Sequence, residues 1–332
     1  MNAADLTKGL ARFLSERWAR PVTVGKLDQS SAGARRLNVL FDAHDGERSH
    51  GLVATIIPNM NMMITSIPDE AAVLRVAERA GVTVAHVHFD TDDASYVGGP
   101  FFVTTRIAGE TVARRVLRLV EEQEHGTRIA FEIGASAARL HAVQLKDAPA
   151  HLQALPDVPP ADRALENLRL QVDGLLQPGP VFRLGLRWLE QRKPLPPPRR
   201  VIVHGDIRNG NVVIDERGLG AILDWEGTRV GDPMEDLAWP CLRCWRFGVD
   251  DKEVGGFAAR GALIDGYESA GGVFDAERFH WWKVLGTMRW GLGLAGQAKQ
   301  HLDGSVPNIV MAASGRRVAE LEYDLLCLIK PG

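Results

Sequence analysis

Val201-Ile202-Val203-His204-Gly205-Asp206-Ile207-Arg208-Asn209-Gly210-Asn211 opens the stretch whose reading decides the fold. Val212-Val213-Ile214 and Ala221-Ile222-Leu223 follow, joined through Glu216-Arg217-Gly218-Leu219-Gly220, and the second run ends in Asp224-Trp225-Glu226. Gly231-Asp232-Pro233 then starts a helical pattern through Asp236-Leu237-Ala238. The apolar runs are short and β-branched, which predicts strands. Asp206 follows the first run, and Asn211 lies five residues on, near enough for its amide to fold back beside Asp206. Asp224 ends the return strand of a hairpin. One supersecondary unit therefore gathers two carboxylates and an amide oxygen. This hard-oxygen set suits Mg2+, with phosphate oxygens and water completing the shell. A lone Asp at a strand end is more often a turn residue than a catalyst, but turn chemistry does not explain the joint pattern. Phosphoryl transfer uses such a set: a metal on the phosphates, a carboxylate to orient a hydroxyl, and cations around the moving group.

The rest of the chain is compatible with that core. A length of 332 residues exceeds one small domain, so two lobes are expected. A net charge of −3 lacks the basic surface that non-specific nucleic-acid binding needs. No apolar run reaches the roughly 18 residues of a membrane span. Met1 to Lys8 has no basic region followed by an apolar core, so no secretory signal is expected. Cys241, Cys244 and Cys327 give no disulfide framework. A cytoplasmic monomer or homodimer, with no nucleic-acid or membrane partner, is the expectation.

Leu6, Leu10, Phe13, Leu14 and Trp18 predict an amphipathic helix over 3–18, ended by Pro21. Strands are expected at Val22–Val24, Leu37–Phe41, Leu52–Ile57, Val84–Phe89 and Phe101–Ile107, with a helix from Pro68 to about Arg79. After Gly109-Glu110 the pattern turns helical: 111–123, 127–145, one short helix in 150–180, and 182–190. A stiff connector at Pro194, Pro196, Pro197 and Pro198 leads into the opening stretch. Further helices are expected at 234–247, 254–270, 276–300 and 307–329.

With these residues in view, the chain resembles the aminoglycoside phosphotransferase and choline kinase superfamily. His204-Gly205-Asp206 with Asn211 matches the family's catalytic loop. Ile222-Leu223-Asp224-Trp225-Glu226 matches its metal-binding segment, and Gly231-Asp232-Pro233 with Asp236-Leu237-Ala238 matches the helix start beyond it. The Trp after the metal Asp is similar to the branch that includes kinase-like domains attached to acyl-CoA dehydrogenases. The resemblance covers about residues 20–330. It implies an α+β, two-lobed, protein-kinase-like fold: a small β-rich nucleotide-binding lobe over 1–108 and a larger, mainly helical catalytic and substrate-binding lobe over 109–332. It implies ATP or GTP as donor, Mg2+, and a small-molecule hydroxyl acceptor. On this resemblance Asp206 is the base, Asn211 and Asp224 hold the metal, and His204 braces the loop. Asp236 ties the loop to the helix, Arg208 meets the γ-phosphate, and Glu226 supports the metal site or the loop. Ser30, Ser31, Gly33, Arg35 and Arg36 belong to the nucleotide cover loop. Thr104 and Thr105 lie in the connector near the adenine.

One departure stands out. The family pattern places a Lys or Arg on the third strand, paired with a helix Glu. Glu70 supplies the Glu, but Thr55 occupies the place of the cation, and no Lys or Arg occurs between Arg48 and Arg75. Arg35, Arg36 or Arg75 could substitute. Otherwise Mg2+ and Arg208 act alone, or the chain is an inactive nucleotide-binding protein. A protein kinase is disfavoured because no activation segment follows Asp224. Gly291-Leu292-Gly293-Leu294-Ala295-Gly296 fits a dinucleotide-binding pattern, yet it lies in a helical stretch and reads as close packing. Cys241 and Cys244 have no second pair for zinc and are expected in a packed helix. His141, His280 and His301 lack ligand spacing. Trp188, Trp239, Trp245, Trp281, Trp282 and Trp290 read mostly as core, with one or more at an acceptor pocket. Asp250, Asp251 and Glu253 are mixed with Arg243, Arg246 and Lys252, so no acidic stripe for a polycationic aminoglycoside is evident.

Overall fold

A computed structural model describes residues 2–29 and 36–330, the side chain of Met62 apart. Helix α1 (Ala3–Trp18) is capped by Asn2, whose side chain accepts from the Asp5 N–H. It buries Leu6, Leu10, Phe13 and Leu14, the stripe its spacing predicts. Strands β1 (Thr23–Val24), β2 (Asp28–Gln29), β3 (Leu37–His44), β4 (Ser49–Ile56), β5 (Val87–Thr91) and β6 (Phe101–Thr105) form one antiparallel sheet. Its order is β1-β3-β4-β6-β5, with β2 beside β3. The two-residue β2 is too short to leave a sequence pattern.

Alternation along the strands sorts two faces. Val39, Phe41, Leu52, Ala54, Phe101 and Val103 pack with α1 into one core. Phe102 and Val87 join the opposite core together with α2 (Ile67–Arg79), and that core runs on into the helical part of the chain. Ser66 caps α2, and Pro68 lies in its first turn.

The helical part begins with α3 (Ala113–Glu122) and α4 (Gly126–Ala142). Residues 150–180 hold α5 (Ala150–Gln153) and α6 (Pro160–Asp173), not the single short helix expected. Next comes α7 (Pro180–Gln191). Strand β7 (Val201–Val203) pairs with β10 (Arg229–Gly231), and β8 (Val212–Asp215) with β9 (Gly218–Ile222), both antiparallel. Helix α8 (Pro233–Ala238) is shorter than expected. Pro240, which has no N–H to donate, lies within the first of two 3-10 turns, Trp239–Cys241 and Arg243–Trp245. Cys241 and Cys244 lie on those turns, not on the packed helix expected.

Helix α9 (Arg260–Ser269) starts late, after Gly255 and Gly256 take positive φ. Helix α10 (Ala276–Leu302) is continuous; within the glycine pattern Gly291 packs closely on Phe182 and Leu321, whereas Gly293 and Gly296 have open space around them, so close packing holds at Gly291 alone. The expected final helix is two, α11 (Ile309–Ser314) and α12 (Val318–Ile329), parted by a 3-10 turn at Gly315–Arg317. Among the described residues no helix is long and apolar enough to cross a membrane.

Helices α4 and α9 cross at reciprocal glycines. A Cβ on Gly134 would lie 2.1 Å from the Leu263 carbonyl oxygen, and one on Gly266 would lie 2.0 Å from that of Phe131. Backbone cannot yield cheaply, so Gly134→Ala is expected to cost about 1–3 kcal/mol of unfolding free energy. Gly261 on α9 has open space around it, so Gly261→Ala should be neutral or stabilise by up to about 1 kcal/mol. Urea denaturation of the two variants tests the contrast, and equal midpoints would refute it.

Candidate active site

The loop from β7 to β8 is built around a buried carboxylate. Asp236, on α8, accepts from the His204 N–H at 2.8 Å and the Gly205 N–H at 2.7 Å, one on each oxygen. His141 Nε2 lies 3.2 Å from the same carboxylate, and its Nδ1 faces the Tyr267 hydroxyl at 3.0 Å. Burial alone would push the Asp236 pKa up. The His141 contact and the backbone donors outweigh burial and hold it below the usual carboxylate range. Gly205 has a φ of 80°, a conformation that favours glycine.

His204 is fully buried. Its Nδ1 accepts from the Asp206 N–H at 3.1 Å, so Nε2–H donates to the Leu223 carbonyl, also at 3.1 Å. Burial pushes its pKa down, and the neutral ring is the form that makes both contacts. The hairpin is tied in a second time, by Leu223 N–H to the Asn211 carbonyl at 2.8 Å.

Three segments meet at the Asp206 carboxylate. Trp239 Nε1–H donates to Oδ1 at 2.6 Å, and Asn211 Nδ2 donates to Oδ2 at 2.6 Å and to the Asp206 carbonyl at 3.0 Å. Arg208 Nε lies 3.2 and 3.3 Å from the two oxygens, and its guanidinium stacks 4.6 Å above Trp245. The Asn211 amide nitrogen is thereby engaged, while its Oδ1 takes no donor from the described residues. Asp224 has a φ of 64°, strained for a residue with a side chain, and that side chain is about one-third exposed. Among the described residues no group of three or more His, Cys, Asp or Glu could hold a metal alone. An amide oxygen and one carboxylate instead offer part of a shell, as Mg2+ accepts when phosphates and water supply the rest.

No Lys or Arg lies on β4, and Glu70 is instead paired with Arg36. Arg36 immediately precedes β3, and its NH1 and NH2 meet the two oxygens of Glu70 at 2.9 and 2.7 Å. Its Nε donates to Glu226 at 2.8 Å, and Asp224 lies 3.8 Å off. Arg36 is only 12% exposed and Glu70 only 2%. Burial pushes the Glu70 pKa up despite Arg36. Burial works the other way on Arg36, but its carboxylate partners hold its pKa above the usual guanidinium range. Thr55 donates to Asn38 Oδ1 at 2.9 Å, and Arg75 is tied to Asp90 at 2.6 Å. Thr104 is buried in β6, and Thr105 meets His88 at 2.9 Å. Ser30, Ser31, Gly33 and Arg35 lie outside the described residues. Glu226 belongs to the link between the two halves, since its carbonyl also accepts from Thr65 at 2.8 Å. Sequence reasoning missed His141, because ligand spacing does not reveal a brace. Trp239 is buried in a small core cluster, as expected, and its place three residues after Asp236 also brings its N–H to Asp206, a contact the sequence did not reveal.

The model of the APH phosphotransferase enzyme family matches residues 31–273. The chain belongs to that family. Its members transfer phosphate to hydroxyl groups of small molecules. Acyl-CoA dehydrogenase family member 10 of Mus musculus is 24% identical over 296 residues, which are 81% of this chain and 26% of the relative. The chain thus spans about a quarter of that relative's length. A crystal structure of a Ralstonia eutropha JMP134 protein, provisionally assigned as an aminoglycoside phosphotransferase, superposes with a TM-score of 0.71 at 18% identity, covering 97% of this chain and 98% of that one. The GDP complex of wild-type aminoglycoside 2'-phosphotransferase-IIIa superposes with a TM-score of 0.69 at 10% identity, covering 98% and 99%. These likenesses show the two-lobed kinase-like fold.

The buried neutral His204 gives this phosphotransferase-family protein a pH signature. Its folded pKa is depressed, so as pH falls below the unfolded value of about 6.5 the unfolded state binds the extra proton and stability drops by up to about 1.4 kcal/mol per pH unit. His88 and His280, also depressed by burial, add to the slope. Denaturation near pH 6.5 and 5.5 should show a smaller loss in His204→Gln than in wild type. Equal losses would contradict this account of His204.

Proposed function

We propose that this chain is an ATP- and Mg2+-dependent small-molecule kinase that moves the γ-phosphate to a hydroxyl of a small metabolite. The observation that carries the reading is the Asp206 carboxylate, held by Trp239, Asn211 and Arg208 on a loop whose backbone is anchored to Asp236. Asp206 orients the acceptor hydroxyl and takes its proton as the O–P bond forms. Asn211 and Asp224 would hold Mg2+, which when bound would neutralise negative charge on the donor phosphates. Arg208 serves the γ-phosphate. His204 keeps Asp206 and the hairpin in register through its two ring nitrogens.

Arg36 takes the role of the absent strand cation, gripping the α- and β-phosphates while Glu70 orients its planar fork. An inactive nucleotide-binding protein is the alternative that a missing cation would favour, and the Arg36–Glu70 pair weakens it. Residues 1–108 form the nucleotide lobe in this reading, with the connector after Thr104 and Thr105 beside the adenine; residues 109–332 form the catalytic and acceptor lobe. GDP in a solved relative supports a nucleotide donor, with GTP tested beside ATP. The free cysteines fit a reducing compartment, and the cytoplasm is the proposed location.

Asp206→Asn keeps the shape of the side chain and removes the base. It should lower acceptor-dependent ATP consumption by about a hundredfold or more while leaving the thermal midpoint near that of wild type. The measurement uses whichever hydroxyl compound the wild-type protein phosphorylates. Turnover retained in the variant would remove Asp206 from the role of base.

A further inference from the structure

Beside the catalytic loop lies a cluster of arginines that the transfer chemistry leaves unused. Arg163 on α6, Arg229 on β10 and Arg289 on α10 line a cavity of about 120 Å3, and Glu235 on α8 is the acid in its wall. Arg229 is paired with Glu235. Arg289 reaches Glu235 at 3.5 Å and the Gly205 carbonyl at 3.1 Å, and Arg163 donates to the Val230 carbonyl. Neighbouring acids are committed elsewhere: Asp232 pairs with Arg278 at 2.9 Å, and Asp236 holds the loop amides. Three guanidiniums thus face one carboxylate. Burial, with Arg229 beside it, pushes the Arg289 pKa down to about 10 against the opposing pull of Glu235, Asp206 and Asp236.

The cluster is coupled directly to the base. The Arg289 guanidinium stacks 4.1 Å above the Trp239 ring, and the N–H of that ring holds Asp206. On the outer side, exposed Asn167 and Gln171 of α6 complete the lining.

We propose that this cavity binds an anionic group, a carboxylate or a phosphate, of the phosphate acceptor. Arginine forks match both groups in geometry and charge. The inference rests on the kinase reading for the phosphate transfer, but not for binding itself. The acceptor is then a hydroxy acid or a phosphorylated alcohol, and the same cluster repels a polyamine sugar.

The test is calorimetric titration of the full chain, without nucleotide, with 3-hydroxybutyrate, glycerol 3-phosphate, glycerol and choline. At least one of the two anions should bind, more weakly as salt rises, while glycerol and choline should not. Preference between the two anions identifies the group as carboxylate or phosphate. Arg163→Gln should weaken the binding about tenfold, a loss of about 1.4 kcal/mol. Asn167→Glu, at an exposed helix position, puts a carboxylate at the mouth and should weaken it with an unchanged melting temperature. Absence of binding by both anions, or wild-type affinity in both variants, would overturn the proposal. Binding is also measured in Asp206→Asn. Anions that bind but are never phosphorylated overturn the kinase reading alone. Phosphorylation of glycerol or choline, undisturbed by Arg163→Gln, overturns the anion pocket alone.

Discussion

The guanidinium of Arg36 joins the two halves of the cleft. It leaves the sheet at the start of β3, meets α2 through Glu70, and meets the segment after β9 through Glu226, with Asp224 close by. Desolvation makes such a buried group poor evidence of stability. What it supplies is position. A planar fork with two oxygens on one carboxylate has little freedom to rotate, so α2, the start of β3 and the segment after β9 share one reference point. Removing Arg36 would leave the buried Glu70 carboxylate uncompensated, which typically costs about 3–5 kcal/mol.

A second network meets the first through the β8–β9 hairpin. Asp236 fixes the backbone at His204 and Gly205, and His204 passes that position to Leu223, the residue before Asp224. Asn211 binds Asp206 by its side chain and Leu223 by its backbone. Asp206, Asn211 and Asp224 are therefore placed by short hydrogen bonds to backbone and buried side chains, not by flexible contacts. Trp239 extends the network outward, from the base to the arginine cavity.

The sequence made the local parts of this arrangement legible. The β-branched runs from 201 to 223 become strands because their period and turn residues agree, and four residues of the expected α1 stripe, Leu6, Leu10, Phe13 and Leu14, are buried, with Trp18 partly buried against the same core. The Asp236 tie is implied by the family resemblance of Gly231-Asp232-Pro233 with Asp236, and the structure shows Asp236 accepting from the His204 and Gly205 N–H groups. The partner of Glu70 could not be chosen among three candidates. Arg36 lies 34 residues from Glu70 and 190 from Glu226, so no local period links them. β10 was missed because three residues carry no readable alternation. The helix expected over 234–247 breaks around Pro240, where an apolar spacing gave more weight to periodicity than to a missing donor. Arg229 and Arg289 look like ordinary surface charges until β10 and α10 bring them to one cavity wall.

The proposal that Arg36 grips the donor phosphates is tested most directly by the affinity of the folded protein for Mg·ATP. Titration of wild type and Arg36→Ala, with the melting temperature of each recorded, isolates the phosphate grip from the fold. The account predicts a variant that remains folded and binds Mg·ATP about tenfold or more weakly, a loss of about 1.4 kcal/mol or more. Wild-type affinity in a folded Arg36→Ala protein would contradict it.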